Sequence, residues 1–185
     1  MSKKSLFNTK ALVATALGAA LFMVLFMFVK IPSPIPETNF QLAYGVSAFF
    51  GAIFGPISGG LIAFIGHALN DFISYGSPWW SWAFASLVSG LISGLCFNKL
   101  DIENGRFNGK DITTFCVFSI IANIVAWVVV APVLDIVIYS EPANLVFSQG
   151  AIACLMNGIT QCVVGTLLCV AYSKTRVGKG SLDKE

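Results

Sequence analysis

The sequence predicts an all-α membrane protein: six transmembrane helices forming a single integral-membrane domain, 1–185, with the N- and C-termini cytoplasmic. Three observations lead there. Hydrophobic residues make up 56% of the chain and charged residues 11%, at a mean hydropathy of +0.81. A soluble domain needs a charged coat that this chain cannot supply. Several apolar runs approach the ~20 residues with which a helix crosses a ~30 Å hydrocarbon core. They are continuous rather than alternating, which sets aside a transmembrane β-barrel. The basic residues are also one-sided. With the N-terminus inside, Lys3, Lys4, Lys10, Lys99, Arg106, Lys110, Lys174, Arg176, Lys179 and Lys184 fall on the inner side and only Lys30 on the outer. That is the pattern of a multi-pass cell-membrane protein under the positive-inside rule.

The segments are expected at about 11–29, 40–54, 56–73, 78–97, 112–131 and 147–172. The first is longer than the roughly 7–15-residue core of a signal peptide and reaches Lys30 without an obvious cleavage site, so it reads as a retained helix. The second is short, and "FGPISGG" joins it to the third. That junction is either a tight turn with proline opening the next helix or a break within one long helix. The third and fourth segments meet at "DFISYGSP". The inner loop "NKLDIENGRFNGKD" is polar and reads as an ordinary solvated connection before the fifth. "PVLDIVIYSEPANL" reads as an apolar outer loop between the fifth and sixth. The first outer loop, "KIPSPIPETN", carries Pro32, Pro34 and Pro36, which favour a stiff extended or polyproline-like course. The outer loops look more like parts of a lid than free linkers.

Small residues recur at helical spacing: Gly51, Gly55 and Gly59; Gly90 and Gly94; Ala14 and Gly18; Ala16 and Ala20. Such faces let backbones approach closely, either within the chain or against another membrane protein.

Enzyme signatures are missing. "VGKGS" lacks the upstream glycine of a nucleotide-binding loop. There is no HExxH, and no nucleophile elbow with a second histidine. The chain is therefore not expected to be an enzyme, to hydrolyse ATP or to bind a cofactor of its own. The five cysteines are odd in number and include no Cys-x-x-Cys pair, so they read as packing residues rather than a metal site or disulfide framework. The net charge of +2 and the short, mixed tail Lys174–Lys184 leave no nucleic-acid footprint.

The chemistry concentrates in "HALNDFISYGSPWWSW", His67 to Trp82. It holds the only histidine, an Asn-Asp pair, Tyr75 and three tryptophans. His67, Asn70 and Asp71 are spaced to share one helix face in the outer half of the third segment. Ionisable groups at membrane depth usually face the protein interior and mark a functional path. Trp79 and Trp82 share a face and read as pocket walls; Trp80 reads as interfacial belt. Asn123, Trp127 and Asn157 lie at similar depth in the last two segments, with Gln149 and Gln161 nearby. Together these residues predict one small cavity for a flat, hydrogen-bonding heterocycle, neutral or weakly cationic.

Several strings carry a resemblance across most of the chain: "LFNTK" at Leu6–Lys10, "KIPSPIP" at Lys30–Pro36, "IFGPISGGLIAFIGHALND" at Ile53–Asp71 and "GSPWWSW" at Gly76–Trp82. The sequence resembles the S component, the substrate-binding membrane subunit, of an energy-coupling factor (ECF) vitamin importer. It is similar to a subfamily linked to riboflavin and to the hydroxymethylpyrimidine precursor of thiamine. The resemblance implies high-affinity capture of a water-soluble vitamin or precursor. It implies partnership with a transmembrane T subunit and two cytosolic ABC-type ATPases, which hydrolyse the ATP. It also implies that Ala16 and Ala20 dock the T subunit and that the loop of Pro32, Pro34 and Pro36 helps close the site. The few polar groups visible in the sequence favour the pyrimidine over riboflavin. The alternative is a stand-alone channel or facilitator for a small solute.

Overall fold

The structure, a computed structural model, describes residues 8–35 and 38–176. The first helix, α1 (Thr9–Phe28), starts where the Asn8 side chain accepts the Ala11 backbone N–H at 2.9 Å. It leads into two short antiparallel strands, β1 (Lys30–Pro32) and β2 (Asn39–Gln41), with Ile31 paired to Phe40. The expected stiff extended loop is thus a hairpin, closed by the Ser33 N–H donating to the Thr38 carbonyl at 3.1 Å. Pro32 ends β1, while Pro36 lies outside the described residues.

Helix α2 (Ala43–Phe54) follows, and Gly55 at φ 98° turns the chain into α3 (Pro56–Tyr75), with Pro56 in its first turn. The "FGPISGG" junction is therefore a tight turn between two helices. Gly76 ends α3 in the left-handed conformation at φ 80°. Helix α4 (Trp80–Gly94) continues as a 3-10 turn to Lys99, and a second such turn covers Ile102–Asn104.

The last two rods are longer than expected. Helix α5 (Gly109–Asn123) opens with a capping box between Asn108 and Asp111. It passes through a π-helical stretch, Ile124–Val130, into α6 (Ala131–Tyr139). Most of the expected apolar outer loop is thus helix. Pro132 comes directly after the π-helical stretch, which already offsets the backbone hydrogen-bond ladder, and the rod continues through it. Ser140 at φ 57° ends it, and α7 (Ala143–Thr160) returns through a second π stretch, Gln161–Gly165, into α8 (Thr166–Lys174).

Five helical rods among the described residues are long and apolar enough to cross a membrane: Thr9–Phe28, Pro56–Tyr75, Trp80–Lys99, Gly109–Tyr139 and Ala143–Lys174. Helix α2, with 12 residues, is shorter; at 1.5 Å per residue it is ~18 Å long.

The glycine pattern is used inside the chain. Gly59 and Gly90 bring the backbones of α3 and α4 into contact, and Gly51 packs against Gly94. A Cβ on Gly90 would overlap the Gly59 carbonyl, whose backbone cannot yield cheaply. We expect Gly90→Ala to cost about 1–3 kcal/mol through overpacking, read as a lowered unfolding temperature in detergent or failure to accumulate.

The two ends of the bundle differ. One carries the hairpin, the Gly76 and Ser140 turns and Lys30; the other carries Lys10, Lys99, Arg106, Lys110, Lys174 and Arg176. At the basic end the expected solvated loop folds back instead, burying Leu100 and Ile102. There Glu103 accepts from Tyr172 Oη at 3.0 Å and Arg176 Nη2 at 3.0 Å, and pairs with Lys10 Nζ at 3.3 Å. Burial pulls the Glu103 pKa upward, but these hydrogen bonds and cations outweigh it and hold the carboxyl below its ordinary value. The stabilisation is therefore present above the ordinary pKa and lost as pH falls through the lowered one. Glu103→Gln should lower the unfolding temperature slightly at neutral pH, and acidification should close the gap to the parent.

Candidate functional site

At the hairpin end the helices enclose a cavity of about 500 Å³. This falls within the usual range for small-molecule sites, roughly 300–1,000 Å³. The hairpin supplies Thr38, Asn39 and Gln41 to its mouth.

One wall comes from the end of α3. His67, Asn70 and Asp71 do share a face, and all three are buried and line the cavity. Asp71 Oδ1 accepts from Asn70 Nδ2 at 3.0 Å, and its Oδ2 accepts the Trp79 backbone N–H at 3.1 Å and lies 3.5 Å from His67 Nε2. The other face of His67 meets a deeper layer. Its Nδ1 is 2.7 Å from Ser86 Oγ, which in turn is 2.9 Å from Tyr44 Oη.

A second wall is aromatic. Trp79 and Trp82 both line the cavity, and Tyr75 stands at its rim, 73% exposed. Trp79 stacks on Tyr139 at 4.3 Å between ring centroids, and Trp82 stacks on Trp127 at 5.5 Å. Trp80 points elsewhere, packing against Phe64 and Phe84 on the outer surface. On α7, Asn157 completes the lining.

Three of the residues that the sequence groups around the cavity, Asn123, Trp127 and Gln161, do not line it. Asn123 is consumed by its own neighbours: its Nδ2 donates to Ser119 O at 2.7 Å and to Gln161 Oε1 at 2.8 Å, while its Oδ1 accepts from Trp127 Nε1 at 2.9 Å. Trp127 is fully buried behind Trp82, edge-on to Tyr44 at 5.2 Å. These two residues back the site rather than face it. Tyr44 lines the cavity, and below it Trp127, Asn123, Gln161 and Phe115 fill the bundle interior, all essentially inaccessible.

The lining residues that the sequence does not single out include Gln41, Tyr44, Asp135 and Glu141. Gln41 falls at the start of the expected second segment, and Glu141 in an expected outer loop. Asp135, on α6, is 2% exposed, accepts from both cavity tryptophans and lines the cavity. An acid inside "VVVAPVLDIVIY" was the available signal; Pro132 masked it by suggesting the helix had ended.

The site's polarity has a direction. Gln41 Oε1, Asn70 Oδ1 and Asn157 Oδ1 are buried on cavity-lining residues and have no hydrogen-bond partner among the described residues. The Asn70 orientation is fixed, because its amide nitrogen faces a carboxylate. The residues lining the cavity beside Asp71 and Asp135 therefore carry buried acceptors that are unmet among the described residues.

Apolar rods of membrane length around a buried polar cavity at one end define a membrane-embedded solute-binding protein. A family model described as "ECF-type riboflavin transporter, S component" matches residues 6–174, and the chain belongs to the ECF-type transporter S-component family. Curated relatives agree in length. A UPF0397 protein of Streptococcus gordonii is 52% identical over 97% of this chain and 96% of its own. One of Lactobacillus helveticus is 53% identical over 99% of both. Among solved structures, the 2.1 Å crystal structure of the S-component for biotin from an ECF-type ABC transporter matches at a TM-score of 0.59. It shares 16% identity over 85% of this chain and 90% of that one, a likeness of fold. The protein is thus a multi-pass cell-membrane subunit that confers substrate specificity in vitamin uptake, and it is not an enzyme. Family membership implies association with a T subunit and an ATPase module.

Proposed function

We propose that this chain captures a flat, donor-bearing vitamin precursor from the outer side of the membrane, with the hydroxymethylpyrimidine precursor of thiamine as the first candidate. The carrying observation is the set of unmet acceptors, Gln41 Oε1, Asn70 Oδ1 and Asn157 Oδ1. A buried acceptor without a donor costs about 1–3 kcal/mol, so a ligand that brings donors recovers that cost. The pyrimidine's amino group and hydroxymethyl arm bring N–H and O–H donors on a ring flat enough to lie against Trp79 or Trp82. Two buried carboxylates in the walls, Asp71 and Asp135, also favour a ring that accepts a proton. Riboflavin is the second reading. The family description names it, and the cavity of about 500 Å³ is large enough for it.

In this reading the hairpin end faces outward and both termini face the cytoplasm. The chain crosses six times, α2 completing its short passage with the hairpin. Energy comes from two cytosolic ABC-type ATPases through the T subunit. Ala16 and Ala20, which α1 leaves exposed, are the docking face, and the hairpin of Pro32 and Pro34 closes the site. The chain itself binds no cofactor. A filled interior below the cavity argues against a free-running channel.

Proteoliposomes test this directly. Labelled hydroxymethylpyrimidine should accumulate only when the chain is reconstituted with T subunit, ATPases and ATP. ATP-dependent accumulation of labelled riboflavin, with none of labelled pyrimidine, would move the assignment to the flavin. Flux through the chain alone, without nucleotide, would overturn the reading.

A further inference from the structure

We infer that Asp135 is the positioning residue of this site, holding the indoles of Trp79 and Trp82 in the geometry that forms the aromatic wall. The consequence for affinity rests on the solute-binding reading above; the ordering of the two rings is a property of the chain alone.

Asp135 stands on α6 and reaches across to the start of α4. Its Oδ1 accepts from Trp79 Nε1 at 2.7 Å and from Ser81 Oγ; its Oδ2 accepts from Trp82 Nε1 at 2.6 Å. An indole N–H only donates, so both carboxylate oxygens act as acceptors. Among the described residues, no Lys, Arg or His forms an ion pair with Asp135. Burying a charge without a countercharge is costly, and it persists at membrane depth where it does something a neutral group cannot.

What it does follows from valence. A carboxylate can take an indole N–H on each oxygen. An asparagine can accept on one atom only, and its amino group would face the second indole N–H donor to donor. A tie between two helices would need a single bond, and Ser81 alone could supply it. Here each oxygen also holds a ring that lines the cavity.

Trp79 is fixed from a second side as well, since its backbone N–H donates to Asp71 Oδ2 at 3.1 Å. One tryptophan thus bridges an acid on α3 and an acid on α6. The two rings are set at the same time by stacking, Trp79 on Tyr139 and Trp82 on Trp127.

The test uses the full chain in detergent, labelled with 5-fluorotryptophan. The four tryptophans give separate ¹⁹F signals, assigned by single replacement with phenylalanine. Asp135→Asn should shift or broaden the Trp79 and Trp82 signals and leave Trp80 in place. Affinity is measured with hydroxymethylpyrimidine, thiamine and riboflavin as probes. For whichever binds, Asp135→Asn should weaken binding tenfold or more. Added to Trp79→Phe/Trp82→Phe, which lacks both indole donors, it should cost less than threefold. Equal loss in both backgrounds would mean that Asp135 acts on the ligand directly and would overturn the inference, as would unmoved ¹⁹F signals. If the parent binds none of the probes, the solute-binding reading fails and the ¹⁹F comparison alone decides this one. If Asp135→Asn does not fold, Trp82→Phe decides instead, because it removes one donor and keeps a ring. Weakened binding together with a shifted Trp79 signal supports the inference, and no change in either overturns it.

Discussion

Asp71→Ala is expected to weaken ligand binding by about 30- to 700-fold, equivalent to about 2–4 kcal/mol, while the protein still accumulates in the membrane. Asp71 is the hub of the α3 wall. Its loss leaves the Asn70 amide and the Trp79 backbone N–H without their acceptor, both at the cavity surface. It also removes the one carboxylate beside His67 Nε2. The wall would then rearrange or present donors where the ligand needs acceptors. Asp71→Asn should fall between the two, since it keeps the shape and one acceptor. Titration of the purified variants, followed by tryptophan fluorescence, reads the effect. Unchanged affinity in Asp71→Ala would reduce Asp71 to a helix-end charge.

Trp82→Ala should be nearly as severe, about 30-fold or more, in line with the ~2 kcal/mol or greater loss typical of buried aromatic anchors. The ring is both a wall of the cavity and the cover over Trp127, on which it stacks at 5.5 Å. Alanine opens that space, so the ligand loses its stacking surface and the buried layer behind is exposed. Trp80→Ala is the matched control. It removes the same side chain two residues earlier, but from the outward surface, and affinity should not change. If the two variants behave alike, both tryptophans are interfacial belt and the aromatic wall is not part of the site.

The contrast between these neighbours was readable in the sequence, because Trp79 and Trp82 fall on one helical face and Trp80 does not. The same periodicity placed His67, Asn70 and Asp71 together. It worked there because α3 is an uninterrupted α-helix. It failed for Asn123 and Trp127 on a rod that is not. The π stretch Ile124–Val130 adds to the turn, and each inserted residue rotates everything beyond it by about 100° relative to an α-helix. Trp127, within that stretch, therefore cannot be assigned to cavity or core by counting from the start of α5, whereas Asn123 ends α5 before the stretch begins. Its hydrogen bond to Gln161, the first residue of the other π stretch, is a tertiary fact.

Asp135 was hidden for a different reason. Proline usually ends a helix, and Pro132 lies within a rod that continues because a π stretch, which the sequence does not announce, precedes it. The hairpin was equally hard to see. Its strands have three residues each, and proline-rich sequence reads as extended whether or not a partner strand is present. What remained legible was the distribution of charge. Lys30 stands at the cavity end and the other described basic residues at the opposite end, as the sidedness of the sequence implies.

The central claim, that this chain holds one heterocyclic solute in the cavity bounded by Asp71, Asp135, Trp79 and Trp82, is tested most directly by native mass spectrometry. The chain would be purified in mild detergent, incubated with an equimolar mixture of hydroxymethylpyrimidine, thiamine and riboflavin, and sprayed intact. The account predicts a single adduct at one molecule per chain, lost in Asp71→Ala and retained in Trp80→Ala. A chain that carries no adduct from the mixture, or carries the same adduct after Asp71→Ala, would contradict it.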